Sequence, residues 1–419
     1  MTDKNDGSWL FSTLAAAAVL TVTMGARQSL GLFIFPLNNS TGLGLVTISF
    51  ALAVGQFVWG AVQPLAGAAA DRFGPARVLV GGVLILALGS ALTPFMTSAL
   101  GLVISLGLLS AIGAGAGSFS VLIGAVAGRV PASQRGSAAG IINAGGSFGQ
   151  FVFAPLLQLL ISTLGWMGAM WSLAIITLGA LPLVRMMHRS SPVAVWSTHE
   201  RLVGTLRRAV KNALADRNYL LLHAGFFTCG FHIALIVTHL PGEVNLHGLT
   251  ASVASWSLAV IGLSNIAGSL VAGWCVNHFR GKYVLFSIYG SRAMLVLLYL
   301  AAPKSAWTFY LYAIGLGFTW LATVPPTAGV IGKLFGTRYL ATLFGLTLLS
   351  HQTGGFLGCM AGRTRVLSLR RLSVDVVRRC CAGRWSGSLQ PADSRAAGRT
   401  DRRARLDRKI GTARITGGL

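Results

Sequence analysis

Eleven apolar runs of about twenty residues or more, joined end to end by short polar turns, constrain this chain more than any other feature. A run of that length crosses the hydrocarbon core of a bilayer as a helix, and only helices or closed barrels satisfy every backbone group there. The runs lack period-two alternation, which excludes barrel strands. With 53% of its 419 residues hydrophobic and 11% charged, the chain is too apolar for a soluble enzyme. The expected fold is an all-α polytopic membrane protein with spans near 9–37, 44–70, 76–97, 99–127, 136–163, 166–187, 218–240, 251–276, 283–302, 306–332 and 339–361. The first run is too long for a signal-peptide core and carries Arg27 in place of a clean cleavage site, so it reads as a retained helix. Cys229, Cys275 and Cys359 sit in apolar runs and Cys380 and Cys381 near the end, which is no disulfide framework.

Charge alternates between the joints. One side holds fifteen Lys and Arg: Arg72, Arg77, Arg129, Arg135, Arg280, Lys282, Lys333, Arg338 and seven more flanking or within the loop 188–217; the other side holds only Lys304. The positive-inside rule therefore places the N-terminus and the long loop in the cytoplasm; the expected location is the cell's inner (plasma) membrane. That loop divides the spans into six and five. The halves echo each other, because Gly140 and Gly149 in the fifth span are spaced like Gly345 and Gly354 in the eleventh. Such internal repeats suit a substrate site at the midplane and alternating access. Glycines 107, 113, 115 and 117 in the fourth span permit close helix approach, and Pro325-Pro326 is expected to kink the tenth. Both features fit rocking helices and also fit ordinary packing and a fixed bend.

The joint after the second span reads Gly67-Ala-Ala-Ala-Asp71-Arg72-Phe73-Gly74-Pro75-Ala76-Arg77. One acid and two arginines around a glycine turn can latch helix pairs from the water side and release them when they move. A degenerate copy, Gly273-Trp-Cys-Val-Asn277-His278-Phe-Arg280-Gly281-Lys282, follows the eighth span 206 residues later. The first copy closely resembles the signature loop of the major facilitator superfamily, and the second stands where that family repeats it. Gly25-Ala-Arg27-Gln28-Ser-Leu-Gly31-Leu-Phe33, His239-Leu-Pro241 and Thr319-Trp-Leu-Ala-Thr-Val-Pro-Pro-Thr with Gly332-Lys-Leu-Phe-Gly336 are similar to bacterial monocarboxylate and oxalate/formate transporters within it. The resemblance implies a two-bundle fold of twelve helices, with the twelfth missing here. It divides the chain into a six-helix bundle (1–187), a cytoplasmic linker (188–217), a five-helix bundle (218–361) and a basic tail (362–419). It also implies a secondary transporter of small organic anions, with a proton or counter-anion as co-substrate, and a monomer without cofactor or metal.

Polar groups at membrane depth carry the candidate chemistry, because each needs a partner, water or substrate. Arg27 and Arg292 lie well inside the first and ninth spans, and an arginine at a helix centre costs about 2.5–3.5 kcal/mol on insertion scales. No Asp or Glu lies in the interior of any span to neutralise them. Two such cations point to an anionic substrate, or to arginines bonding backbone carbonyls; the latter reading is favoured for Arg292, whose helix is usually peripheral in the family. His232, with Thr228 four residues before it, can bind a carboxylate or carry a proton; His239 fits a cap or a water-facing position. Gln56, Trp59 and Gln63 share a face of the second span. His351-Gln352, Asn143, Asn265 and the pair Thr319-Trp320 complete the set, with interhelical hydrogen bonding as the simpler role. The switch set is Gly67, Asp71, Arg72, Gly74, Arg77, Asn277 and Arg280.

No soluble-enzyme constellation survives. Gly145-Gly-Ser147-Phe-Gly149 matches a nucleophile-elbow pattern, but it lies in an apolar helix with no strand before it. A phosphate-binding Gly-Lys-Ser/Thr loop is absent, so ATP-driven pumping is unsupported. Residues 363–419 hold fifteen Lys and Arg against four Asp and no spanning run. A nucleic-acid-binding or lipid-binding arm would emerge on the wrong side for the charge rule, so no nucleic-acid partner is expected. Shifting suitably chosen codons of 368–379 and 390–396 by one base yields plausible helix-entry and helix-exit sequences, which favours an out-of-frame tail. Efflux of hydrophobic compounds, a sensor-like role or an inactive truncated product are the alternative functions.

Overall fold

A computed structural model describes residues 6–189 and 199–357. Among them every regular element is helical and no strand occurs. The first span covers Trp9–Thr41, passing through a tight turn of helix at Ser29–Phe33. The second to fourth cover Leu45–Phe73, Pro75–Phe95 and Ala99–Ala127. Ala132–Met187 holds the fifth and sixth, which part at Gly165. There φ is 71° and ψ 171°, a conformation essentially reserved for glycine, and it reverses the chain. After the linker helix His199–Ala215 come Arg217–Leu246 (seventh), Ala251–His278 (eighth), Gly281–Ala301 (ninth), Ala306–Phe335 (tenth) and a helix over 340–357 (eleventh). The linker residues 190–198, Cys359, Cys380, Cys381 and the whole tail 362–419 lie outside the described residues.

Local chemistry starts the helices where the joints end. Ser98 accepts a hydrogen bond from the Gly101 amide at 3.1 Å, and Ser305 one from Thr308 at 3.3 Å. Asp216 accepts from Asn218 and Tyr219 at 2.7 and 3.2 Å, opening the seventh span. Each oxygen satisfies amides that the first helical turn leaves orphaned. Large apolar side chains such as Phe35, Phe57, Phe286 and Trp307 remain exposed, the expected outer face of a helix bathed in lipid.

The tenth span differs from expectation in one respect. Its helix stops at Thr319, Trp320–Thr323 are irregular, and a second helix begins at Val324. Pro325 and Pro326 therefore stand in the first turn of the second segment, where a missing N–H costs nothing. The bend precedes the prolines, which start a helix and do not kink one.

The halves meet through glycine. Fifth packs on eighth and second on eleventh; a Cβ on Gly140 would stand 2.6 Å from the Ser269 carbonyl oxygen, and one on Gly345 2.8 Å from that of Gln63. Only glycine lets the backbones come this close, and close approach is what stabilises helix pairs in lipid. The fourth span uses the same device, with Gly107 against the Ala51 carbonyl of the second.

Candidate functional site

A cavity of about 260 Å³ opens between the first, second and fourth spans, walled by Leu30, Leu52, Leu106 and Ala111, with Arg27, Gln28, Gln56 and Ser110 as its polar lining. Arg27 is half-buried and donates to Gln56 Oε1, while its guanidinium carbon lies 4.1 Å from the centre of the Trp59 ring. Stacking on an aromatic face orients the planar fork, and the donor it gives to Gln56 is one a carboxylate would compete for. Gln56 in turn donates to Gln352 Oε1 at 2.9 Å, on the eleventh span. No Asp or Glu among the described residues lines this cavity.

Arg292 is differently employed. Only 2% exposed, it donates to the carbonyls of Thr319 and Trp320, to Thr319 Oγ1 at 3.5 Å and to Cys229 Sγ at 3.1 Å. The two carbonyls are those freed where the tenth helix stops, so the cation sits at the negative end of that helix and replaces its missing amide partners. Asn265 Oδ1 accepts from the Leu321 amide at 3.0 Å, and Asn143 donates to the Leu321 carbonyl at 2.9 Å and to Ser269 Oγ at 2.7 Å. The irregular segment Trp320–Thr323 is thus held from the fifth, seventh, eighth and ninth spans.

Of the expected site residues, the structure brings Arg27 and Gln56 into one group; His351 lies with its ring 5.3 Å from that of Phe226 on the seventh span, touching this group only through its neighbour Gln352. It gathers Arg292, Thr319 and Trp320 into a second group, with Asn143 reaching that segment from the other half. His232 is exposed on the seventh span, its ring 6.2 Å from that of Phe231. The side chain of His239 lies outside the described residues.

The charged joints make a symmetric pair of clasps. Asp71 Oδ2 accepts from the Thr342 amide at 2.9 Å and from Thr342 Oγ1 at 2.5 Å, at the start of the eleventh span. Asn277 Oδ1 accepts from the Gly136 amide at 2.8 Å and its Nδ2 donates to Ser137 Oγ at 2.7 Å, at the start of the fifth. Each joint therefore holds the first turn of a helix from the opposite half. The acid's described partner is Thr342, not an arginine: Arg72 lies against the Phe73 ring at 4.9 Å, and Arg77 and Arg280 are exposed. Gly67 gives the second helix its close seat on the Ala341 carbonyl. Gly74 turns with φ 90°, whereas Arg280, its counterpart in the copy, has φ −68° and needs no glycine. Sequence reasoning missed Thr342, Ser137, Cys229 and Ser269. Thr342 and Ser137 were within reach, since they are related by the same offset of 205 residues that links Gly140 to Gly345.

A family model described as Major Facilitator Superfamily matches residues 15–359. Monocarboxylate transporter 13 of Rattus norvegicus is 26% identical over 366 residues, covering 85% of this chain and 82% of that protein. The oxalate:formate antiporter of Oxalobacter formigenes is 25% identical over 359 residues, covering 84% and 83%. Among solved structures, the E. coli fucose:proton symporter FucP superposes with a TM-score of 0.67 at 16% identity, over 83% of this chain and 90% of that one.

Proposed function

Because this chain belongs to the major facilitator superfamily, we propose that it carries small organic monoanions across the membrane by alternating access, with Arg27 as the group that grips the anion. The observation that carries this reading is a half-buried guanidinium facing a partly apolar cavity with no carboxylate among the described residues to neutralise it. A charge so placed is expensive unless a ligand completes it. Arg292 is the contrasting case: its donors are spent on the break in the tenth helix, so we assign it to bracing. One available cation favours a single negative charge, and the apolar walls favour a short hydrocarbon tail. The rat relative's name, a monocarboxylate transporter, points the same way, and the Oxalobacter relative's name supports the wider class of small organic anions.

In this reading residues 1–187 and 218–361 are the two moving bundles, joined by the linker 188–217. The clasped ends, which carry the basic joints, face the cytoplasm of the cell's inner membrane. A proton or a counter-anion completes the cycle, and His232, exposed on the seventh span, is the first choice of proton carrier.

The test is uptake of radiolabelled propionate and lactate into vesicles containing the full chain. Arg27→Ala is expected to abolish saturable uptake, and Arg27→Lys to raise the half-saturating concentration about tenfold, since an ammonium cannot offer the bidentate fork. Wild-type affinity in Arg27→Ala overturns the reading. Extrusion of hydrophobic dyes with no effect of monocarboxylates would replace it with efflux.

A further inference from the structure

Gln352 is seated against the opposite half of the molecule with more care than a chance contact needs. Its Cβ and Cγ lie where a side chain at residue 60 would be: a Cβ on Gly60 would stand 2.7 Å from each. Gly60 is buried in the second span, one turn beyond Gln56. The socket aims the Gln352 amide at Gln56, whose Nε2 donates to it at 2.9 Å while its Oε1 accepts from Arg27. Both ends of the Gln56 amide are therefore engaged, one on the anion-binding cation and one on the eleventh span.

We propose that Gln352 is a positioning residue that couples anion binding at Arg27 to separation of the two halves, with Gln56 as the part that changes partners. This rests on the reading of Arg27 as the anion's anchor. A carboxylate is a stronger acceptor for a guanidinium than a neutral amide oxygen, so an arriving anion displaces Gln56 Oε1. The freed amide turns its N–H₂ towards the anion, the only strong acceptor brought into the cavity. It cannot then donate to Gln352 in the present geometry. Binding and the Gln56–Gln352 bridge thus compete for the same donor, and filling the site unfastens the halves at mid-membrane. Glutamine suits both positions because its amide offers an acceptor and donors on one short plane. An acid at 352 would compete with the substrate for Arg27, and an apolar residue would leave the Gln56 amide no partner on the eleventh span and free to turn to the anion.

The competition fixes the sign of the test. Replacing Gln352 by Leu fills the socket but frees the donor, so equilibrium binding of labelled propionate to the purified full chain is expected to tighten about three- to tenfold, the worth of one neutral hydrogen bond. A merely structural role predicts weaker binding or none of this gain. Gly60→Ala, which removes no polar group but pushes Gln352 from its socket, is expected to act in the same direction. In both variants, without ligand, amides of the helix over 340–357 are expected to exchange with deuterium faster than in the wild type. Unchanged or weakened propionate binding in Gln352→Leu overturns the competition. Should wild type bind no monocarboxylate, the reading of the cavity and the competition fall together. Deuterium exchange then decides the bridge alone, and unchanged rates in both variants overturn it as well.

Discussion

Asp71→Asn isolates the charge in one clasp while preserving its shape. The carboxylate accepts two hydrogen bonds from Thr342, on the first turn of the eleventh helix, where the peptide dipoles also favour a negative group. Hydrogen bonds to charged groups contribute about 1.5–3 kcal/mol and neutral ones about 0.5–1.5 kcal/mol, so removing the charge weakens the clasp by about 1–3 kcal/mol. That corresponds to about a 5- to 150-fold shift in the balance between clasped and open ends. Asparagine does the same job at 277, where it donates to Ser137 as well as accepting from Gly136. At 71 both donors reach one oxygen, so an amide oxygen in its place keeps both bonds and loses only the charge. The assay is deuterium exchange at the start of the 340–357 helix, with propionate exchange in vesicles as the functional readout. Expected is faster deuterium exchange there, slower or leakier transport, and nearly unchanged affinity, because Arg27 bonds elsewhere. Thr342→Val, which removes only the hydroxyl bond, is expected to fall between Asp71→Asn and wild type. Wild-type amide exchange in both variants, or a large loss of affinity with unchanged turnover, refutes the reasoning.

Asn277→Asp is the mirror experiment: a carboxylate can accept from both the Gly136 amide and the Ser137 hydroxyl, so the fifth-span clasp is expected to tighten, slowing amide exchange at the start of that helix. Arg292→Met leaves the Thr319 and Trp320 carbonyls unsatisfied in a buried place, at about 1–3 kcal/mol each, and is expected to lower the melting temperature of the detergent-purified protein far more than Arg27→Met does. Gly165→Ala meets no atom within 4 Å, so its expected cost of about 1–3 kcal/mol comes from backbone conformation alone and appears as reduced thermal stability without altered affinity. Loss of the pH dependence of uptake in His232→Gln would mark His232 as the proton carrier, and its retention excludes it.

The spans were legible because lipid offers the backbone no partner, which forces twenty-residue apolar runs to be helices whatever their tertiary contacts. Arg27 and Gln56 stood out for the related reason that a polar group at that depth advertises its own cost. The partners did not stand out. Thr342 is a small residue 271 positions from Asp71, and nothing local marks it as the donor to an acid. Arg292 was visible, but its use depends on where the tenth helix stops, and the sequence pointed to the proline pair when the break comes just before it. Gln352 was named with His351, but its socket was not visible, because it is the missing side chain of a glycine in the other half. A contact made by an absence leaves no trace in composition.

That no acid among the described residues stands beside Arg27 also has an electrical side. A carrier holding a monoanion on that guanidinium is locally neutral, whereas the same carrier empty presents one positive charge to the membrane field. A unit charge crossing the full field meets about 2.3 kcal/mol per 100 mV. With the cell interior negative, the loaded step inwards does not feel the voltage, and the empty return outwards moves its charge uphill. Under the proposed function that return is the slow limb of net uptake, and voltage sets its pace. A second anion riding back on Arg27 cancels the charge and removes the barrier, so under the same proposal exchange of anion for anion is expected to run faster than one-way flow.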